Sequence, residues 1–342
     1  MARQLVVHVV GARPNYMKVA PVYAALERRG NIAQRLVHTG QHYDILMKDV
    51  FFAELPLPRP HVQLEARTPE SATEELEQTF AELGPDFVVV AGDVNSTLAG
   101  AVAARKRGVR VAHIESGLRS HDWSMPEEVN RVITDHLSEL LLTTLPSAND
   151  HLAEEHLPPE RLRYVGNTMI DTLLANLDAA QALEHDVELG GYVLVTLHRP
   201  SLVDDPDALA ETVAALDEIA ATLPVVFPVH PRTKKNLGDV GRIVLMEPLP
   251  YLQFLSLEAQ ASAVVTDSGG IQEETTVLGV PCFTLRDNTE RPETLEGTNH
   301  LITREQLREV PRLLKEPTPG RIPELWDGGA GERAARAIEA AL

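Results

Sequence analysis

The chain has 342 residues, 44% of them hydrophobic and 24% charged, with a formal net charge of −19. That length exceeds one ordinary core, so two domains of about 150 residues each are expected, and the composition is that of a soluble globular protein. The negative charge argues against a nucleic-acid partner and against an anionic membrane surface, so an anionic ligand would need a locally basic site.

The first apolar run, Leu5–Val10, is too short for a secretory leader and runs straight into Gly-Ala-Arg-Pro, so it reads as a strand. Further β-rich runs follow at Gln34–His38, Phe87–Ala91, Val109–Ile114 and Leu140–Thr144. A second half repeats the pattern at Tyr192–Leu197, Val225–Val229, Ile243–Met246, Ala263–Thr266 and Cys282–Leu285. Amphipathic helical patterns lie between, at Lys18–Arg28, Thr97–Arg107, Asp207–Ala221 and Ile271–Leu278. Continuous apolar strands alternating with helices indicate parallel sheets covered on both faces. Both halves carry a strand, a polar turn and a helix that stops at a glycine, Gly108 in one and Gly279 in the other. Glycine suits the left-handed residue after a helix end. The expected class is therefore α/β: two doubly wound, Rossmann-like parallel-sheet domains facing a cleft, with ligands at the carboxyl ends of the strands.

The expected division is residues 1–168, residues 169–329, and a C-terminal helix, 330–342, that packs back on the body through Ala335, Ile338 and Leu342. No apolar run approaches the ~20 residues needed to span a bilayer, so a cytoplasmic protein is expected. The one cysteine, Cys282, lies in an apolar run and reads as a buried core thiol.

Polar clusters fall at the strand ends. Gly11-Ala-Arg-Pro-Asn-Tyr-Met-Lys18 brings Arg13 and Lys18 to the start of a helix, where the backbone is already positive. Two cations there favour a bound anion over a capped turn with solvated charges. Asp93, Glu115, Glu127 and Glu128 fall around one rim. Each alone reads as a cap or an ion-pair partner, but their coincidence at strand ends favours acid and base work. Ser268-Gly269-Gly270 offers unhindered backbone donors to a phosphate, or makes an ordinary tight turn. Glu273 and Glu274 complement the helix dipole, or one of them accepts the hydroxyls of a ribose. A nucleotide, phosphates at the serine and ribose at a glutamate, would unite those features.

His198-Arg199-Pro200 and His230-Pro231-Arg232-Thr233 also follow strands, though a lone histidine in such a loop is more often a hydrogen-bonding residue than a ligand. No metal is expected, since neither His-Glu-x-x-His nor Cys-x-x-Cys spacing occurs. Gly-x-Ser-x-Gly and Gly-Lys-Ser/Thr are also missing, and Gly329-Ala-Gly331 follows no strand, so it is rejected as a dinucleotide fingerprint.

Taken in order, these motifs resemble the non-hydrolysing UDP-N-acetylglucosamine 2-epimerase family nearly end to end. They include residues 11–18 quoted above, Thr-Gly-Gln-His-Tyr-Asp (39–44), Gly-Asp-Val-Asn-Ser-Thr-Leu-Ala (92–99), His-Ile-Glu-Ser-Gly-Leu-Arg (113–119) and Met-Pro-Glu-Glu-Val-Asn-Arg (125–131). Gly-Asn-Thr-Met-Ile-Asp-Thr-Leu (166–173), Pro-Val-His-Pro-Arg-Thr (228–233), Thr-Asp-Ser-Gly-Gly-Ile-Gln-Glu-Glu (266–274) and Arg-Asp-Asn-Thr-Glu-Arg-Pro-Glu (286–293) continue the series.

The resemblance implies a glycosyltransferase-B-type fold, a homodimer, and reversible inversion at C2 of UDP-GlcNAc to give UDP-ManNAc. It implies expulsion of UDP to leave 2-acetamidoglucal, followed by re-addition, with no cofactor. It implies that Arg13, Lys18, Ser268, Gly269 and Gly270 hold the diphosphate and that Glu274 takes the ribose, with Phe254 near the uracil. Asp93, Glu115 and Glu127 would face the sugar carbon, His198 would approach the diphosphate, and Arg131, Arg286 and Glu290 would complete the site. Two departures stand out. Many members read His-Arg-Arg-Glu-Asn where this chain has His198-Arg-Pro-Ser-Leu202, and Asp44 replaces the last glutamine of an activator-binding Gln-His-x-x-Gln stretch. Substrate activation is accordingly expected to be weak or absent. The alternatives are an epimerase for a modified UDP-acetamido sugar, a glycosyltransferase on the same fold and a non-enzymatic UDP-sugar sensor. The three carboxylates count against the last two.

Overall fold

The computed structural model describes residues 3–40, 57–183, 191–316 and 320–342. They divide into two compact units, Met1–Thr172 with Glu324–Leu342, and Leu173–Pro323.

In the first unit β1 (Leu5–Val10), β2 (Ala33–His38), β3 (Val62–Gln63), β4 (Phe87–Ala91), β5 (Arg110–Ser116), β6 (Leu140–Thr143) and β7 (Leu162–Tyr164) build one sheet. Its order among the described residues is β3-β2-β1-β4-β5-β6-β7, all parallel. The intervening helices are α1 (Arg13–Arg29), α2 (Pro69–Leu83), α3 (Asn95–Lys106), α4 (Pro126–Leu137) and α5 (Pro146–Glu154). α6 (Thr168–Gln181) leads out of the unit. In the second unit β8 (Val193–Thr196), β9 (Val225–Pro228), β10 (Val244–Met246), β11 (Ala263–Thr266), β12 (Cys282–Leu285) and β13 (Asn299–Ile302) form a parallel sheet in the order β10-β9-β8-β11-β12-β13. Its helices include α7 (Pro206–Ala220), α8 (Tyr251–Gln260) and α9 (Gly269–Leu278). The final helix, α10 (Ala330–Ala341), returns to the first unit.

The expectation of two doubly wound sheets holds. Alternate residues of β8 and β11 go to opposite faces, Val193, Val195 and Val265 into one apolar cluster and Leu194 and Val264 into another. Burial on both faces is why these strands read as unbroken apolar runs. Chain order reverses between β1 and β4 in one sheet and between β8 and β11 in the other. At such a switch point the loops after the two strands part and leave room for a ligand.

One local correction matters for the site. The stretch after β1 is helix from Arg13, not turn: Asn15 Oδ1 accepts the Gly11 and Ala12 amides at 3.0 and 3.1 Å, and Pro14 sits in the first turn, where no amide is needed. Pro21 lies inside the same helix and cannot donate to Met17 four residues back. The Thr172 hydroxyl fills that gap, donating to the Met17 carbonyl at 2.6 Å. Beside it, Asp171 accepts the Ala330 and Gly331 amides at 3.0 and 2.6 Å and so caps α10. Gly108 and Gly279 take the left-handed conformation expected of them, with φ of 70° and 73°. Cys282 is buried, and burial pushes its thiol up to about 12. No described helix is long and apolar enough to cross a membrane.

Candidate active site

In the first unit the loops after β1, β4 and β5 converge. Lys18, on the second turn of α1, forms a buried ion pair with Glu115. The pair lies against Gly92: a Cβ there would stand 2.9 Å from Lys18 Nζ and 3.1 Å from Glu115 Oε2. Gly92 has φ of 66°, so both backbone and space demand glycine. Glu115 itself has φ of 66°, and the β5–β6 register shifts between Ile114 and Ser116. That bulge aims a carboxylate off the strand end, a device found beside active sites.

Asp93 follows Gly92 and accepts from Arg131 Nη2 at 2.6 Å. Arg131 Nη1 reaches Glu128 at 2.8 Å, and Glu128 also accepts the Ser120 amide, the Ser120 hydroxyl and the His121 amide, each at 2.9 Å. Burial alone would raise the Glu128 carboxyl, but those donors and the Arg131 charge outweigh it and hold it below its ordinary value. Glu127, the neighbour singled out from sequence, is exposed on the first turn of α4. Arg13 opens α1, but its side chain lies outside the described residues, as do Gln41–Asp44.

Behind these groups lie two residues that sequence reasoning passed over. His113 and Asp135 are buried, with His113 Nδ1 2.7 Å from Asp135 Oδ1 and His113 Nε2 2.8 Å from the Gly92 carbonyl. His113 stood inside a quoted motif, but only its pairing with Asp135, on the inner face of α4, marks it out.

In the second unit the same topology places His198 after β8, Asp267 and Ser268 after β11, and Arg286 after β12. Asp267 accepts the His198 amide at 3.1 and 3.0 Å, the Arg199 amide at 2.8 Å, and lies 3.0 Å from His198 Nδ1. Burial opposes charge on Asp267, yet His198 and the two amides hold its carboxyl below the ordinary value. The His198 ring is thereby oriented by a buried carboxylate while its side chain stays 55% accessible.

Ser268 precedes α9 without capping it through its side chain, so the first-turn amides of Gly269 and Gly270 have no side-chain acceptor there. Cations gather at that end. A Cβ on Gly269 would stand 2.5 Å from Arg291 Nη1 and 3.1 Å from Glu290 Oε1. Glu290 also pairs with Arg286 Nη2 at 2.6 Å, and Arg291 Nε reaches Glu273 at 2.7 Å. Arg286 Nη1 is buried without a hydrogen-bond partner among the described residues. A helix N-terminus flanked by guanidinium groups suits an anion. Glu274, one turn into α9, accepts the Tyr251 hydroxyl at 3.0 Å, and Phe254 is half-buried on α8.

A family model described as UDP-N-acetylglucosamine 2-epimerase matches residues 24–339. The chain belongs to that family. A UDP-N-acetylglucosamine 2-epimerase relative from Methanocaldococcus jannaschii is 39% identical, covering 96% of this chain and 97% of its own. The solved structure of Methanocaldococcus jannaschii UDP-GlcNAc 2-epimerase in complex with UDP-GlcNAc and UDP matches at a TM-score of 0.91 and 38% identity, covering 98% of this chain and 100% of that one. Another epimerase, from Pseudomonas aeruginosa and named for UDP-2,3-diacetamido-2,3-dideoxy-D-glucuronate, is 37% identical over 94% of this chain and 95% of its own.

Proposed function

We propose that the chain is an isomerase that interconverts UDP-GlcNAc and UDP-ManNAc. The observation that carries this reading is the buried Lys18–Glu115 pair on a strained strand end beside Asp93. The C2 proton of the sugar has no adjacent carbonyl to acidify it, so plain deprotonation is prohibitively slow. In the proposed route a carboxylate takes the C2 proton while the C1–O bond breaks. The C2–H electron pair becomes the C1=C2 double bond of 2-acetamidoglucal, and the C–O pair departs with UDP. Return of a proton to the other face of C2, with attack of the diphosphate oxygen on C1, gives the second epimer.

The residues present meet the demands of that route. Charge develops on the leaving diphosphate, which we assign to Arg13, Lys18, His198 and the Ser268, Gly269 and Gly270 amides. Arg286, with a buried donor to spare, and Glu290 extend the same anion site, and Arg131 holds Asp93. Acid and base groups on two faces are supplied by Asp93, Glu115 and Glu127. Glu274 is assigned to the ribose, and Phe254 to the uracil. The working form we propose is a cytoplasmic homodimer, for which sedimentation would give about twice the 37.5 kDa of one chain.

Incubation with UDP-GlcNAc in deuterated water tests the activity. NMR is expected to show solvent deuterium at C2 of both epimers. Neither exchange nor a second epimer would point instead to a transferase or a sensor. A modified acetamido sugar is the second reading, favoured by the 37% identity to the diacetamido-glucuronate enzyme. A higher kcat/KM for that substrate in the same assay would replace UDP-GlcNAc with it.

A further inference from the structure

We propose that His113 and Asp135 act as a clamp that positions two of the three candidate catalytic carboxylates, Asp93 and Glu115, from behind. The proposal rests on the reading of those carboxylates given above, and it comes from where the bonds of the clamp end. The His113 ring meets the Gly92 carbonyl, the peptide that enters Asp93. The Gly92 amide in turn donates to the Ile114 carbonyl at 3.0 Å, so β5 holds Gly92 at both its amide and its carbonyl, through the two peptides that flank it. At the other end, Asp135 Oδ2 accepts the Gly117 amide at 3.0 Å, two residues beyond Glu115. Gly117 has φ of 82° and a Cβ there would run into the Ala148 carbonyl, so this segment has little freedom. The bulge that turns Glu115 out of the sheet is thus tied at 113 and at 117 to one carboxylate.

The bonding distinguishes His113 from a histidine that merely fills a core. His8 is equally buried in the same sheet, but among the described residues its ring has one hydrogen-bond contact, to Gln34 at 2.9 Å, and its Nδ1 has no hydrogen-bond partner. His113 faces an acceptor at each ring nitrogen, a carboxylate and a backbone carbonyl. Both contacts are hydrogen bonds only when both nitrogens carry protons. Asp135 also accepts from Arg119, 2.8 Å away, which carries the network on to Glu155 at 2.6 Å. A ring held between two fixed acceptors has one orientation, and it passes that precision to the turn carrying Asp93. Misplacing a reacting group by about 1 Å costs roughly 100-fold in rate, so this support is a kinetic requirement.

Two variants split the clamp. His113→Asn keeps a donor near the Nδ1 position and loses the grip on Gly92, while His113→Gln keeps a donor near Nε2 and loses Asp135. Each is expected to lower kcat, per folded molecule, by between about 10- and 100-fold, with KM and the Kd for UDP changed less than about threefold. Unchanged kcat in both folded variants would overturn the proposal and leave His113 a packing residue. The wild-type protein gives a measurement independent of activity and of variant folding. In 15N-labelled wild-type protein the His113 ring N–H is expected to exchange with solvent far more slowly than that of an exposed histidine, as a hydrogen-bonded donor does. A ring N–H that exchanges as fast as that of an exposed histidine would open the clamp and end the idea. Wild-type protein that fails to exchange deuterium at C2 would sink the proposed reaction, but it would not touch the ring-nitrogen result.

Discussion

Lys18 and Glu115 lie buried with their charged ends together, and neither is readily removed alone. Lys18→Met breaks a buried ion pair from one side, which costs about 3–5 kcal/mol. Lys18→Met combined with Glu115→Gln is expected to recover most of that loss, since both charges of the pair are then removed together. Turnover should be absent from Lys18→Met, from Glu115→Gln and from the double variant, and affinity for UDP should fall only where Lys18 is changed. Urea midpoints with calorimetric titration of UDP check this, and a double variant no more stable than Lys18→Met would show that the pair is not a unit. The adjacent glutamates pose a sharper question. Position alone does not separate Glu127 from Glu128, since both open the same helix, and it was the family resemblance that singled out Glu127; the phase of α4 turns Glu128 inward to Arg131 and leaves Glu127 accessible. Glu128→Gln is therefore expected to lower stability by about 1–3 kcal/mol. Glu127→Gln is expected to remove at least about 100-fold of kcat with no shift in the unfolding midpoint, as general acid–base loss would. Full activity in the latter would take Glu127 out of the mechanism.

At the scale of elements, what was legible followed burial. β1, β4, β11 and β12 have the bounds read from sequence because both faces of each are covered and every residue is apolar or nearly so. β3, β7 and β13 were missed: each is at a sheet edge or beside one, and Leu162-Arg-Tyr164 or Asn299-His-Leu-Ile302 carries no continuous apolar signal. Strand ends were legible as places for chemistry, yet the partners were not, since His113 and Asp135 are 22 residues apart and meet only in the fold. The stretch Gly166–Leu173 is instructive in the same way. It read as a family motif, and the structure gives it two physical tasks, Asp171 capping α10 and Thr172 completing the proline-interrupted ladder of α1. α10 buries Ala334, Ala335 and Ile338 in the first unit, while Leu342 is only partly covered. Asp171→Ala is expected to cost about 1–2 kcal/mol through the lost cap. Hydrogen exchange should report it as faster opening of α10 with the second unit unaffected. Unchanged exchange in α10 would mean that packing, not the cap, holds the helix.

For the whole molecule, acid has two opposed effects on stability. The formal net charge of −19 falls in size as carboxylates and histidines gain protons, which relieves self-repulsion and favours the folded state. His8 pulls the other way. Burial lowers its value from 6.5 to about 4, with the Gln34 contact only partly opposing the change. Between those two values the unfolded chain binds a proton at this position that the folded chain refuses. Stability from this group is therefore complete above about pH 6.5, declines as pH falls, and is fully lost below about pH 4. At pH 5 the loss amounts to about 2 kcal/mol. A pH series on the wild type alone would mix this with the charge relief, so the comparison must be with His8→Gln, which shares every other titrating group. Urea unfolding at pH 7 and pH 5 is expected to show the wild type losing about 2 kcal/mol more than the variant over that interval. Equal changes in the two proteins would mean that the buried ring does not exclude its proton, and that the acid response belongs to the molecule's net charge alone.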